Sequence, residues 1–164
     1  MKNICLFFLI FSFSGKVYAQ TPTLSIYDSL KIMPRFTYYT LDGKFFTIDS
    51  LQQNLKTVEI YFNPKCEHCQ QEARMIADSM KYFPKAQYLF VSRADSATLV
   101  QFAADYDLDS NKYIKVLWDK DQLYYTLTIA HYTPSIHIYD KDQQLIYFSQ
   151  DEISGEDLKK QLKR

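Results

Sequence analysis

Two cysteines separated by two residues are the most reactive feature of this 164-residue sequence. They stand in the tetrapeptide Cys66-Glu67-His68-Cys69, which follows an apolar run ending at Phe62 and a turn at Asn63-Pro64-Lys65. Such a pair can form and break a disulfide when its first sulfur lies at a helix N-terminus. There the helix dipole and the unpaired N–H groups favour the thiolate. The pattern therefore predicts thiol-disulfide chemistry, with the Cys66–Cys69 disulfide as the only redox group and no other cofactor.

The two cysteines have different surroundings in the predicted helix. Cys69, Ala73, Ile76, Met80 and Phe83 recur at spacings of four and three residues, as one apolar helix face does. Cys69 therefore faces the core, whereas Cys66 stands at the exposed helix start. This asymmetry predicts an attacking sulfur at Cys66 and a shielded, resolving sulfur at Cys69.

Two other uses of the same sulfurs remain open from the sequence. Cys66, His68 and Cys69 could ligate copper or zinc, with His131 or His137 as a fourth ligand, in a non-catalytic metal carrier. Structural zinc sites usually have a second ligand pair at regular spacing, which is missing here, so we predict no metal site. A purely structural disulfide would close a loop of two residues and would stabilise the fold little.

The elements around the cysteines alternate between strands and helices. Thr57 to Phe62 reads as a central strand, and an Asp-Gly turn before it joins two strands of a hairpin. Further strands and helices follow, with a short helix predicted over residues 122–129 and a capping box at 154–157 opening the last helix. This order predicts an α/β fold with a central mixed sheet.

Composition and charge exclude several classes of protein. Lys+Arg and Asp+Glu both number 19, so the formal net charge is zero, whereas a nucleic-acid binder needs a basic excess. Hydrophobic residues make up 47% and charged residues 23%, which is typical of a globular domain rather than a disordered chain. Three cysteines are too few for a disulfide-stapled mini-protein.

The N-terminus has the pattern of a secretory signal peptide. Lys2 precedes an apolar run from Ile4 to Phe13, and Ala19 closes the segment as a small residue at the expected cleavage site. The apolar run is shorter than the roughly 20 residues that a membrane-spanning helix needs. We therefore predict a signal peptide over residues 1–19, a flexible leader over 20–34 and one domain over 35–164.

The strand, the Cys-x-x-Cys pair and the dipeptide Thr133-Pro134 before a later strand resemble the thioredoxin superfamily. Together with the N-terminal hairpin and the signal peptide, they look most similar to the exported TlpA/ResA-like thiol-disulfide oxidoreductases. The resemblance covers roughly residues 36–162. It implies a thioredoxin-like three-layer sandwich, a mixed sheet flanked by helices, with an N-terminal β-hairpin extension.

The resemblance also implies roles for single residues. Cys66 would form a mixed disulfide with the substrate, and Cys69 would resolve it. Pro134 would be a cis-proline whose loop presents the backbone of Thr133 to an extended substrate segment. His131 and Tyr132 replace a glycine common in the family, and they could line the substrate groove or pack against the helix. A tryptophan usual before the first cysteine is replaced by Lys65.

Four ionisable residues could influence proton transfer or charge at the two cysteines. ResA-like reductases have a glutamate at the position of Glu72, where it assists proton transfer at the buried cysteine; a surface charge is the alternative. The buried acid of thioredoxin aligns with Ile60, so it is absent, although neighbouring Glu59 could be buried. His68 could stabilise the Cys66 thiolate, and Glu67 would oppose that effect.

These features together predict a periplasmic thiol-disulfide oxidoreductase that acts on protein thiols or disulfides. A membrane or periplasmic electron donor would be its second partner, and nucleic acid would not be a partner. Besides the metal carrier, a peroxiredoxin-like peroxidase is an alternative function. A peroxidatic cysteine usually follows a threonine by three positions, and Asn63 stands there instead.

Overall fold

The computed structural model describes residues 31–128 and 130–164. The predicted signal peptide over residues 1–19, and residues 20–30 of the predicted leader, lie outside the described residues. No helix in the described ranges is long and apolar enough to cross a bilayer.

Seven strands form one mixed sheet in the order β2-β1-β5-β4-β3-β6-β7. The strands are β1 (Thr37–Thr40), β2 (Phe45–Thr47), β3 (Lys56–Tyr61), β4 (Ala86–Ser92), β5 (Ile114–Trp118), β6 (Ser135–Tyr139) and β7 (Leu145–Ser149). The β3–β4 and β4–β5 pairs are parallel, and the other pairs are antiparallel. The fold is thus thioredoxin-like, as predicted, with the β1–β2 hairpin added at one edge.

Four helices accompany the sheet in the described residues. They are α1 (Glu67–Ser79), α2 (Ser96–Asp105), α3 (Tyr124–Leu127) and α4 (Gly155–Lys163). A 3₁₀ turn over Met80–Tyr82 extends α1. The helix predicted over residues 122–129 is shorter than expected, because the Thr128 N–H bonds back to Tyr124 and the chain then becomes extended.

Two apolar clusters lie on the two faces of the sheet, because alternate residues of a strand point to opposite sides. Val58, Ile60 and Phe62 pack in one cluster with α1, α2 and α4. Tyr61 packs in the other cluster with α3 and the hairpin. This division decides which side chains of β3 can reach the cysteines on α1.

The folded domain begins before the predicted boundary at residue 35. Met33 is 2% exposed, and its N–H donates to the carbonyl of Gln143. Ile32 forms a bridge with Gln144. Residues 31–34 are therefore part of the domain rather than of a flexible leader. The short apolar segment has no periodicity of its own, and its pairing with residues 143–145 depends on the tertiary structure.

Candidate active site

Cys66 caps the N-terminus of α1, directly after the turn that leaves β3. Its Sγ accepts a hydrogen bond from the backbone N–H of Cys69 at 3.3 Å. Its own N–H donates to the carbonyl of Asn63 at 2.9 Å, and the Asn63 side chain accepts from the N–H of Lys65. Cys66 is half-buried, so its sulfur can be approached from solvent. The sulfur therefore lies at the positive end of the helix dipole and accepts one of the first N–H groups of α1.

Cys69 lies one turn further along α1, on the face that packs against the sheet. Its side chain is 1% exposed, and both cysteines are free thiols in this structure. Burial is the largest influence on Cys69, and together with the nearby Cys66 sulfur it raises the pKa of the Cys69 thiol to about 12. The pair is therefore asymmetric: one accessible sulfur, and one shielded sulfur that stays protonated.

The loop before β6 brings a second element to Cys66. The Thr133–Pro134 peptide bond is cis, as the resemblance implies. The Cys66 thiol points at the carbonyl oxygen of Thr133 across 3.6 Å, although 67 residues separate the two in the chain. Pro134 is buried and Thr133 is half-buried. Tyr132 is 68% exposed and leaves an aromatic ring on the surface beside this loop.

The two residues between the cysteines point to solvent, and one of them has a charged partner. Glu67 and His68 are both exposed. His68 Nδ1 lies 3.2 Å from a carboxylate oxygen of Glu152, and the two side chains are 62% and 43% exposed. Glu152 is 84 residues away in the chain, and no local pattern in the sequence marks it. The His68 ring is thus engaged by a carboxylate.

Glu72 is a buried carboxyl and not a surface charge. It is 2% exposed, and one of its oxygens accepts the N–H of Ile153 at 3.0 Å. Its other oxygen has no hydrogen-bond partner in the described part of the chain. Burial raises the pKa of Glu72 to about 7, and the nearby charge of Glu152 adds to the effect while the Ile153 bond opposes it. A carboxyl with this pKa can exchange a proton near neutral pH.

A second buried carboxyl, Glu59, lies on the other face of the sheet. Ile60 packs with Cys69 in one cluster, whereas Glu59 accepts a hydrogen bond from the hydroxyl of Tyr38 at 3.2 Å. Ile60 is thus a β3 side chain on the face of the sheet that carries Cys69. Glu59 points away from the cysteines because it is adjacent to Ile60 in the strand.

The histidines considered as metal ligands do not converge on the sulfurs. His137 is 2% exposed within β6, where Tyr124 contacts its Nδ1 at 2.9 Å. His68 lies beside Glu152, and His131 is exposed with its N–H bonded to Gln150. Residues 31–128 and 130–164 contain no group of three or more His, Cys, Asp or Glu side chains placed to hold a metal ion.

Comparison with known sequences identifies a family that this chain matches. The sequence profile of the AhpC/TSA family matches residues 30–148, most of the chain. A search of curated proteins found no match.

Several solved structures have a similar fold. MTB dsbF, in its mixed oxidized and reduced forms, is 21% identical with a TM-score of 0.67, covering 82% of this chain and 95% of that one. A secreted Mycobacterium tuberculosis disulfide oxidoreductase homologous to E. coli DsbE is 23% identical with a TM-score of 0.66, covering 83% and 97%. Peroxidoxin BcpB from Mycobacterium tuberculosis is 15% identical with a TM-score of 0.68, covering 80% and 94%. At these identities the likeness shows the fold.

Proposed function

Because this chain belongs to the AhpC/TSA family and is a thioredoxin-like oxidoreductase, we propose that it exchanges disulfides with protein cysteines through Cys66 and Cys69. One observation carries the proposal. The half-buried Cys66 sulfur lies at a helix N-terminus and faces the Thr133 carbonyl beside a cis-proline, with the buried Cys69 behind it. A substrate sulfur can approach Cys66 from solvent but cannot reach Cys69.

The exchange needs two successive displacements at sulfur. In the reducing direction, the Cys66 thiolate attacks one sulfur of a substrate disulfide and displaces the other as a thiolate, which takes a proton from solvent. Cys69 then loses its proton, attacks Cys66 Sγ and releases the remaining substrate thiolate. The cysteine pair gives up two electrons and becomes a disulfide. A dithiol donor in the membrane or periplasm must then reduce it.

Glu72 suits the deprotonation of Cys69 in the second displacement. The high pKa of Cys69 means that its thiol needs a base, and Glu72 follows it by three residues on the same helix. With a pKa near 7, Glu72 can take up this proton and return it at neutral pH. In the same proposal, the Thr133 backbone and Tyr132 line the groove for the substrate chain, while Glu67 and His68 adjust the charge beside Cys66.

Export to the periplasm is part of the proposal. The apolar run from Ile4 to Phe13 and the small residue Ala19 support a cleaved signal peptide. A chain beginning at Gln20 would keep Cys66 and Cys69 as its only cysteines, so no other intrachain disulfide could compete with the redox pair. The similar Mycobacterium tuberculosis disulfide oxidoreductase is described as secreted, which also favours export.

Reduction of insulin by a thiol donor tests the exchange activity. Wild type is expected to accelerate the reaction, and Cys66→Ser is expected to abolish the acceleration. Cys69→Ser should accumulate mixed disulfides with proteins of the exporting cell, because the resolving sulfur is missing. Cys5→Ser, made in the full chain, is the matched control and should keep activity. Full activity in Cys66→Ser, or an empty trap in Cys69→Ser, would contradict the proposal.

The reduction potential of the pair then gives the direction of electron flow. A potential near about −120 mV would identify an oxidant of substrate thiols, and one near about −270 mV a reductant of substrate disulfides. Equilibration with glutathione at several ratios, followed by alkylation of the free thiols, measures it directly.

A peroxidase is the second candidate, since the family match and the similarity to a peroxidoxin favour it. Cys66 would attack the peroxide O–O bond to give a sulfenic acid and hydroxide, and Cys69 would condense with it, releasing water. Asn63 stands three residues before Cys66, and its side chain is already bonded to the N–H of Lys65. We therefore expect hydrogen peroxide to react with a much lower kcat/KM than insulin; the reverse order would favour the peroxidase.

A further inference from the structure

A polar cleft of about 410 Å³ opens beside the active-site sulfur. It lies where β3 and β4 end, and the chain around α3 closes its far side. Its lining residues are Tyr61, Phe62, Asn63, Ser92, Arg93, Ala94, Gln122, Tyr125 and Thr133. Arg93 is the only ionised side chain among them, and no carboxylate lines the cleft. The cleft is therefore suited to an anionic group.

The guanidinium of Arg93 is available to such a group. Arg93 is exposed, and its guanidinium carbon lies 5.8 Å from the ring centre of Tyr125. Within residues 31–128 and 130–164 it forms no ion pair and no side-chain hydrogen bond. Stacking on an aromatic ring holds a guanidinium in place while its N–H donors stay free, and these donors match a carboxylate in two parallel hydrogen bonds.

The buried carboxylate of Asp119 forms no ion pair with Arg93 among the described residues. Asp119 lies behind Tyr61 and accepts hydrogen bonds from the Tyr61 hydroxyl and from the N–H groups of Leu123 and Tyr124. Asp119 is 1% exposed, and these three donors occupy both of its carboxylate oxygens. Tyr61 thus separates the hydrogen-bonded carboxylate of Asp119, inside the protein, from the guanidinium of Arg93 at the cleft wall, which has no ion-pair partner among the described residues.

Two lining residues of the cleft also contact Cys66. The carbonyl of Thr133 faces the Cys66 sulfur at 3.6 Å, and the carbonyl of Asn63 accepts the Cys66 N–H at 2.9 Å. A polypeptide whose cysteine reacts at Cys66 while its backbone lies along Thr133 can therefore pass this cleft, because Thr133 and Asn63 belong to both sites. A side chain a few residues from that cysteine can enter it.

We propose that the cleft binds an Asp or Glu side chain of the substrate polypeptide, within three residues of the cysteine that Cys66 attacks. The inference rests on the function proposed above and adds a sequence preference to it. The guanidinium of Arg93 pairs with the carboxylate, and Asn63 and Gln122 offer further polar groups in the same cleft. Arg93 acts on binding of the substrate chain and takes no part in the exchange at sulfur.

The test uses short peptides that carry one cysteine as a mixed disulfide with an aromatic thiol reporter. Matched peptides have Glu, Gln or Lys at one position, one to three residues before or after the cysteine. The second-order rate constant for release of the reporter is measured with reduced wild type, Arg93→Gln, Arg93→Lys and Arg93→Glu. Lys65→Gln is the matched control, since Lys65 is an exposed cation next to Cys66 but does not line the cleft.

At the preferred position, wild type is expected to react about five-fold faster with the Glu peptide than with the Gln peptide, as a partly exposed ion pair allows. This Glu-to-Gln rate ratio should fall toward one in Arg93→Gln and in 0.5 M salt, and it should stay above one in Arg93→Lys. In Arg93→Glu, the Lys peptide should react faster than the Glu peptide. Lys65→Gln should keep the ratio. A ratio that survives in Arg93→Gln, or disappears in Lys65→Gln instead, would overturn the proposal.

Two further outcomes separate this inference from the proposed function. Exchange with the Gln peptides but equal rates for Glu, Gln and Lys would refute the carboxylate site and leave the function intact. No exchange with any peptide would refute both. Oxidised glutathione, which has carboxylates but no extended chain, is measured alongside. If only the rate with oxidised glutathione depends on Arg93, the cleft binds a small thiol compound and the assignment to a peptide side chain is wrong.

Discussion

Replacing Glu59 by glutamine is expected to stabilise the protein above neutral pH. One carboxyl oxygen of Glu59 accepts the Tyr38 hydroxyl, and the other has no hydrogen-bond partner among the described residues. The side chain is 1% exposed. Glutamine has nearly the shape of the protonated acid and can keep the bond from Tyr38, but it cannot become charged. The substitution therefore removes the cost of ionising a buried carboxyl and little else.

The magnitude follows from the pKa of Glu59. Burial raises it from 4.5 to about 7, helped by the charge of Asp119 and opposed by the Tyr38 bond. The unfolded chain releases this proton near pH 4.5, and the folded chain near pH 7, so wild-type stability falls as the pH rises between these values. At 1.36 kcal/mol per pKa unit, the loss is about 3 kcal/mol above pH 7.

His137 makes the stability change with pH in the opposite direction, over nearly the same pH range. Glu59 and His137 are directly paired residues of β3 and β6. Burial lowers the pKa of His137 from 6.5 to about 4, so its contribution to stability is present above pH 6.5 and is lost as the pH falls toward 4. The pH profile of the wild type alone therefore mixes both groups. The difference between wild type and Glu59→Gln isolates the carboxyl.

Urea denaturation followed by circular dichroism, from pH 4.5 to pH 8, measures this difference. We expect equal stability, within about 1 kcal/mol, near pH 4.5, and a variant more stable by about 2–3 kcal/mol at pH 8. Asp109→Asn removes one exposed carboxylate and should change stability by no more than about 0.5 kcal/mol at either pH. A difference between wild type and Glu59→Gln that is constant with pH, or that favours wild type at pH 8, would refute the reasoning.

Three further predictions concern α1 and α4. Glu72→Gln should raise the unfolding free energy at pH 8 by about 2–3 kcal/mol but not at pH 4.5, because the pKa of Glu72 is also raised to about 7; a variant that is less stable at pH 8 would contradict this. In Cys66→Ser, Cys69 should react with iodoacetamide at pH 8 at least about 100-fold more slowly than Cys66 does in Cys69→Ser, since burial raises the pKa of Cys69; equal rates would mean an accessible sulfur. Ser154→Ala removes the N-cap bond to the Asp157 N–H and should cost about 1 kcal/mol in thermal or urea unfolding, whereas Ser154→Asp should restore most of it.

Much of the fold was predictable because its signals are local. The apolar run ending at Phe62, the turn 63–65 and the apolar spacing after Cys69 correctly indicated a strand, a turn and a helix in that order. The Asp-Gly turn also indicated the hairpin, and Gly43 does adopt φ +82°, which a glycine tolerates. The boundary at residue 35 was placed too late, because the Met33 N–H pairs with the carbonyl of Gln143, a residue far along the chain that no local signal connects to it.

The candidate site also has features that the local sequence predicts and features that depend on the tertiary structure. The spacing of Cys66 and Cys69 and their unequal exposure follow from helix geometry, since every residue of a helix has a known angle to its neighbours. Which distant group meets each of them depends on strand order and packing, for which the local sequence has no signal. The position of Glu152 beside His68 and that of Arg93 at the cleft were therefore decided only when seven strands assembled into one sheet.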